Sequence, residues 1–202
     1  MRLEYSMKQG QVALQVWIED RLEQPIVSVL AITGGSASGK SYLSKTLSQI
    51  EGVSFLEMDK YLFERKKQTE LMANQINHDH PTVYNLSLFT EHVKTLRENK
   101  SIQAPKFYGR KQGTILMEPS SVIIIEGLFT FYQSDIGDLS DCKVYVHADD
   151  DVRLERRVVR DVMERGQTEQ SVRKKWTNTV LPMHKLYVEP QRTLADILIV
   201  NN

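Results

Sequence analysis

Eight consecutive residues, Gly34-Gly35-Ser36-Ala37-Ser38-Gly39-Lys40-Ser41, have the types and spacing of a phosphate cradle, G-x-x-x-x-G-K-S. Gly34 and Gly39 permit backbone angles that a Cβ opposes, so the chain can wrap closely round an anion. The backbone amides of such a loop converge on one point. A helix that starts near Gly39 turns its positive end toward the same point. Lys40 supplies a mobile charge for the β/γ-phosphates, and the Ser41 hydroxyl is placed to ligate Mg²⁺. Tyr42 follows in the first helical turn, within the same expected nucleotide site.

Two carboxylates and a set of arginines extend this chemistry. Asp59 ends an expected strand, 53–58, where a carboxylate beside the phosphate loop can take the proton of an attacking hydroxyl. An ordinary strand-end or capping aspartate is the plainer alternative. Glu126 ends the apolar run 121–125 and is read, with Ser41 and Asp59, on the metal side; a buried carboxylate bonded to the loop backbone is its plainer alternative. The segment 150–165 carries Arg153, Arg156, Arg157, Arg160 and Arg165. Part of this is expected to be a solvated face paired with Asp150, Glu155, Asp161 and Glu164. Arg157 and Arg160, three residues apart, share one helix face. Arg165-Gly166 marks a helix break where a lid can hinge. Arginines on a lid stabilise the charge that develops in phosphoryl transfer and help exclude water.

The elements that must position these groups alternate along the chain. Buried β-branched runs at 26–33, 53–58, 121–125, 143–147 and 196–200 predict five strands, and helical spacing predicts segments near 39–50, 86–98, 150–165 and 168–180, the last stopped by Pro182. That alternation predicts an α/β protein: a three-layer α/β/α P-loop NTPase fold with a mostly parallel five-stranded sheet and a helical lid around 157–180. Residues 101–118 read as a loop or β-ribbon. Leu14, Ile18 and Leu22 predict an amphipathic helix over 11–23, in an N-terminal extension (1–24) packed on the P-loop domain (25–202).

Composition bounds the partners. The chain has 202 residues, with 26 Lys+Arg against 26 Asp+Glu, which excludes bulk-charge binding to nucleic acid. The single cysteine, Cys142, excludes a disulfide-stapled scaffold. The longest apolar run falls far short of the ~20 residues that cross a bilayer, and the charged first 24 residues do not read as an export signal. A cytoplasmic protein with no membrane or nucleic-acid partner is expected. Neither D-x-x-G nor N-K-x-D occurs, which argues against a switch GTPase; the strand-end Glu126-Gly127 and the chain length argue against a motor ATPase.

GGSASGKS (34–41), Asp59, Asp79-His80-Pro81, VIIIEG (122–127), RRVVRDVMERG (156–166), VLPMHKLYVEP (180–190) and ADILIV (195–200) together resemble the uridine kinase branch of the uridine kinase/phosphoribulokinase family, in matching order. The resemblance implies ATP and Mg²⁺, with Asp59 as catalytic base and Lys40 on the phosphates. It implies that Asp79 holds ribose hydroxyls, that Arg157 lies near the sugar, that Arg160 and Arg165 contact phosphates, and that Glu126 with Ser41 serves the metal. A homo-oligomer is compatible with it. The acceptor it implies is a nucleoside hydroxyl, of uridine or cytidine first. The departures lie in the segment that reads the pyrimidine ring: 105–112 holds Phe107 and Tyr108, the expected substrate contacts, but no histidine, and adds Lys106, Arg110 and Lys111. Leu62 stands where the family carries an aromatic residue, and Gln167 replaces a lid arginine. A different sugar or vitamin-like alcohol, or a nucleotide-binding regulatory protein with a degenerate acceptor site, are the alternatives these departures leave.

Overall fold

The computed structural model describes residues 2–73, 76–106 and 113–202. In chain order the principal elements are β1 (Leu3–Ser6), α1 (Met7–Leu22), β2 (Ser28–Gly34), α2 (Lys40–Leu47), β3 (Val53–Glu57), α3 (Arg65–Leu71), α4 (Leu86–Arg97), β4 (Ile102–Pro105), β5 (Thr114–Met117), β6 (Val122–Glu126), α5 (Ser134–Asp138), β7 (Cys142–His147), α6 (Asp150–Arg165), α7 (Glu169–Lys175) and β8 (Ile197–Val200). The main sheet has the order β1-β8-β7-β2-β6-β3, and all its neighbours are parallel. β4 and β5 form a separate antiparallel ribbon, as the 101–118 reading allowed.

β2 is buried at every position because helices cover both faces of the sheet. Its alternate residues feed two cores. Val29 and Ala31 pack with Phe89, Val93 and Leu96 of α4, while Leu30 and Ile32 pack with Leu14 and Ile18 of α1 and Leu43 and Leu47 of α2.

The fold class is the expected one, but the sheet has six strands rather than five. β1 pairs with β8 from Leu3↔Ile197 to Ser6↔Val200. Four largely exposed residues at a sheet edge carry no buried run that could announce a strand. α1 begins at Met7 rather than residue 11, because Ser6 and Gln9 form a reciprocal capping box. Helical structure also continues past Pro182. Wide π-turns at Trp176–Val180 and His184–Val188 flank the short helical piece Leu181–Met183, and because Val180 is itself helical, Pro182 lies inside a continuous helical run, where the local widening of the turns goes with the N–H it lacks.

Candidate active site

β2 brings the chain to the carboxyl end of the sheet and the phosphate loop turns there. Gly34 has φ +152° and Gly39 φ +101°; a Cβ at the first would run into the Val146 carbonyl of β7, and at the second into the Asn201 side chain. Ala37 holds φ +63°, a left-handed conformation that non-glycine residues rarely adopt and that concentrates at functional sites. The Ser38 amide donates to the Gly35 carbonyl at 3.1 Å and closes the bend. Ser38 is fully buried and its hydroxyl has no partner among the described residues. α2 makes its first backbone bond from Leu43 to Gly39, so the amides of its opening turn have no acceptor within the helix. A bend whose space a Cβ would fill, an unpartnered buried hydroxyl and a helix N-terminus together fit the phosphates of a nucleotide. Tyr42 sits in that first turn with its ring largely exposed.

Lys40 Nζ lies 3.5 Å from Glu126 Oε1, both nearly buried, and the Ser41 hydroxyl bonds the same carboxylate. Burial pushes the Glu126 carboxyl above its usual range; Lys40 opposes this and Asp59 adds to it. Thr33 Oγ1 donates to the Gly127 and Leu128 carbonyls at 2.9 and 3.1 Å, which pins the ends of β2 and β6 together. No cluster of three or more His, Cys, Asp or Glu side chains suited to a metal exists among the described residues. Ser41 and Glu126 nevertheless form a hard-oxygen pair, and Mg²⁺ is held by one or two carboxylates completed by substrate phosphates and water. The donor set fits that ion.

Asp59 is not in the strand next to β2. β6 intervenes, so the neighbouring strand-end carboxylate is Glu126, and β3 stands one place further out. Asp59 itself lies two residues beyond β3, in the 3₁₀ turn Met58–Tyr61, exposed toward the crevice end of the sheet. Tyr84 donates to Asp59 Oδ1 at 3.3 Å and to the His78 carbonyl at 3.0 Å. Burial, reinforced by Asp59 and Asp79, drives the Tyr84 phenol well above its ordinary value and keeps it a donor.

Asp79 is buried, with Oδ1 3.9 Å from the Arg157 guanidinium. Arg157 also donates to Ser36 Oγ at 2.8 Å, so it joins α6 to the phosphate loop. Burial lowers its pKa, against the pull of Asp79 and Asp161. Arg160 and Arg165 bond Asp161 rather than the loop, at 2.9 and 3.2 Å. Asp161, expected on a solvated face, is 1% exposed. Gly166, with φ +62°, ends α6 at the expected break. Phe107, Tyr108, Arg110 and Lys111 lie outside the described residues.

Sequence reasoning missed several neighbours. Arg153 was one of a basic series, yet it is 1% exposed, with its guanidinium 5.0 Å from the Trp176 ring centre and against Gly35. His184 packs beside Arg153 on the same side of Gly35, and burial, then Arg153, lowers its pKa to about 3. Asn201 donates to the Ser38 carbonyl at 2.8 Å. Tyr84, Phe129, Tyr132 and Tyr187 form a chain of edge-on rings, and the Tyr187 hydroxyl meets His80 Nε2 at 3.0 Å. The available signal was position alone: Phe129, Tyr132 and Asn201 follow the carboxyl ends of β6 and β8, where open α/β sheets bind ligands.

The chain is similar to known proteins over most of its length. A uridine kinase of Macrococcus caseolyticus is 39% identical over 179 residues, covering 85% of this chain and 87% of its own. A uridine kinase of Clostridium tetani is 36% identical over 184 residues, covering 88% and 87%. A candidate fructose transport system kinase from Silicibacter sp. has a solved structure that superposes with a TM-score of 0.79 at 20% identity, over 93% of this chain and 98% of that one, which speaks for the fold alone. The model of the phosphoribulokinase/uridine kinase family matches residues 29–201, from the second residue of β2 to just past β8, and the chain belongs to that family.

Proposed function

We propose that this protein is an ATP-dependent kinase that transfers the γ-phosphoryl group to a hydroxyl of a pyrimidine nucleoside, uridine or cytidine. Family membership and relatives named uridine kinase at 36–39% identity support it. The observation that carries it is the row of groups at the sheet's carboxyl end: the 34–41 bend, the Lys40–Glu126 pair and Asp59 two residues past β3. In this reading the loop amides and Lys40 hold the triphosphate. Ser41 and Glu126 hold Mg²⁺, which neutralises phosphate charge. Asp59 takes the acceptor's proton as its oxygen bonds the γ-phosphorus and the bridging bond to the β-phosphate breaks, releasing ADP. Asp79 and Arg157 hold the sugar, and Arg160 and Arg165 reach the phosphates from a lid over 157–180 of a kinase domain spanning 25–202. Among the described residues no helix is long and apolar enough to cross a membrane, and we place the reaction in the cytoplasm.

The test is ADP release from ATP with Mg²⁺ across a panel of uridine, cytidine, purine nucleosides, free sugars and pantothenate-like alcohols. Release that depends on uridine or cytidine is expected. Release with only a sugar or alcohol would replace the acceptor, and nucleotide binding without any acceptor-dependent release would overturn the kinase assignment.

A further inference from the structure

Asp161 is a carboxylate with 1% exposure on α6, the helix that also buries the cations Arg153 and Arg157. A carboxylate this buried is costly unless cations and hydrogen bonds surround it. Three guanidiniums do so. Arg160 Nε donates to Asp161 Oδ1 at 2.9 Å, Arg165 lies 3.2 Å from the same oxygen, and Arg157 Nε lies 3.3 Å from Oδ2. The Asp161 carbonyl also accepts the Gly166 and Gln167 amides, so the same residue fixes the turn behind the arginines. Arg157 reaches on to Ser36 of the phosphate loop. Three arginines thus face two carboxylates, Asp161 and Asp79, which leaves a surplus positive charge directed at one place.

Ordinary i,i+4 pairs do not account for this. Such pairs sit on solvated faces and contribute little, whereas this carboxylate is sealed and shared. Gathering three like charges from solvent while a triphosphate binds would work against their mutual repulsion. From this geometry, and resting on the placement of Arg160 and Arg165 at the phosphates, we propose that Asp161 is a positioning residue. It holds the arginines converged beside the loop before nucleotide arrives, and Arg160 and Arg165, the more exposed two, exchange it for phosphate oxygens during closure.

The experiment is a set of double-mutant cycles on steady-state turnover and on melting temperature, pairing Asp161→Asn with Arg160→Ala and with Arg165→Ala. Asp161→Asn is expected to lower kcat by about 10–100-fold while KM for ATP moves by no more than about 3-fold. Each double variant should turn over no slower than its worse single, because the members act as one unit. Asp161→Glu should recover part of the rate. If Asp161→Asn fails to fold, Asp161→Glu takes its place in the cycles, with the same non-additivity expected. Independent multiplication of the losses in kcat, or wild-type kcat in a folded Asp161 variant, overturns the proposal. Wild-type turnover in both Arg160→Ala and Arg165→Ala would instead remove the arginines from the phosphates, a failure of the underlying reading that is distinct from impaired arginine variants beside an unimpaired Asp161 variant.

Discussion

The two ends of the main sheet both carry strand-end carboxylates, and they use them in opposite ways. At the amino end, Asp141 precedes β7 and accepts the Val29 amide at 2.8 Å, while Arg97 grips both of its oxygens at 2.8 and 2.9 Å. Asp196, just before β8, accepts the Lys143 amide at 2.8 Å. These carboxylates stitch neighbouring strands together. At the carboxyl end, Asp59 receives one long bond from Tyr84, and Glu126 faces Lys40 and Ser41 with its carboxyl pushed up by burial. No strand amide is given to either oxygen of Asp59 among the described residues. The same residue type at the same kind of position is structural where backbone amides and an arginine saturate it, and available for chemistry where they do not.

Substitutions can break this contrast directly. Asp59→Asn is expected to lower turnover by about 10²–10⁴-fold, the worth of a general base, with ATP still bound by calorimetry and the melting temperature nearly unchanged. Asp141→Asn is expected to do the reverse: kcat stays at the wild-type value while chemical denaturation reports a loss of about 2 kcal/mol from weakened charge-assisted bonds. If Asp59→Asn costs stability and spares turnover, or Asp141→Asn does the opposite, the contrast fails.

His184 sharpens it with a smaller effect. Buried against Gly35 and beside Arg153, it titrates near 3 when folded rather than near its ordinary 6.5. Below pH 6.5 the unfolded chain therefore binds a proton that the folded chain refuses, and stability falls as the pH drops toward 3. His184→Gln should flatten the decline in melting temperature between about pH 7 and pH 5. An unchanged slope would mean that His184 contributes none of the acid sensitivity.

Much of this site was legible because its signals are local. The 34–41 string carries its own geometry, and the runs around β2, β6, β7 and β8 are buried enough to read as strands. Relationships set by long-range packing left no such mark. Nothing near Asp59 in sequence says that β6 separates β3 from β2. Helical spacing pairs Asp161 with Arg157 and Arg165 on α6, but nothing in that spacing says that Asp161 is sealed from water, or that Arg153 is sealed against Trp176 and Gly35. β1 was invisible for the opposite reason: it is too short and too exposed to show a pattern, although the Ser6–Gln9 capping box after it was there to be read.

The β1–β8 ladder has a kinetic consequence. Pairing Leu3 with Ile197 closes a loop of nearly the whole chain, a contact that costs much entropy before it returns any stability. During synthesis the first strand must wait for the last one to emerge, and the β8 edge completes only when both are present. The slowest folding step should therefore belong to this outermost seam, while the phosphate bend, flanked by strands much nearer in sequence, is already formed.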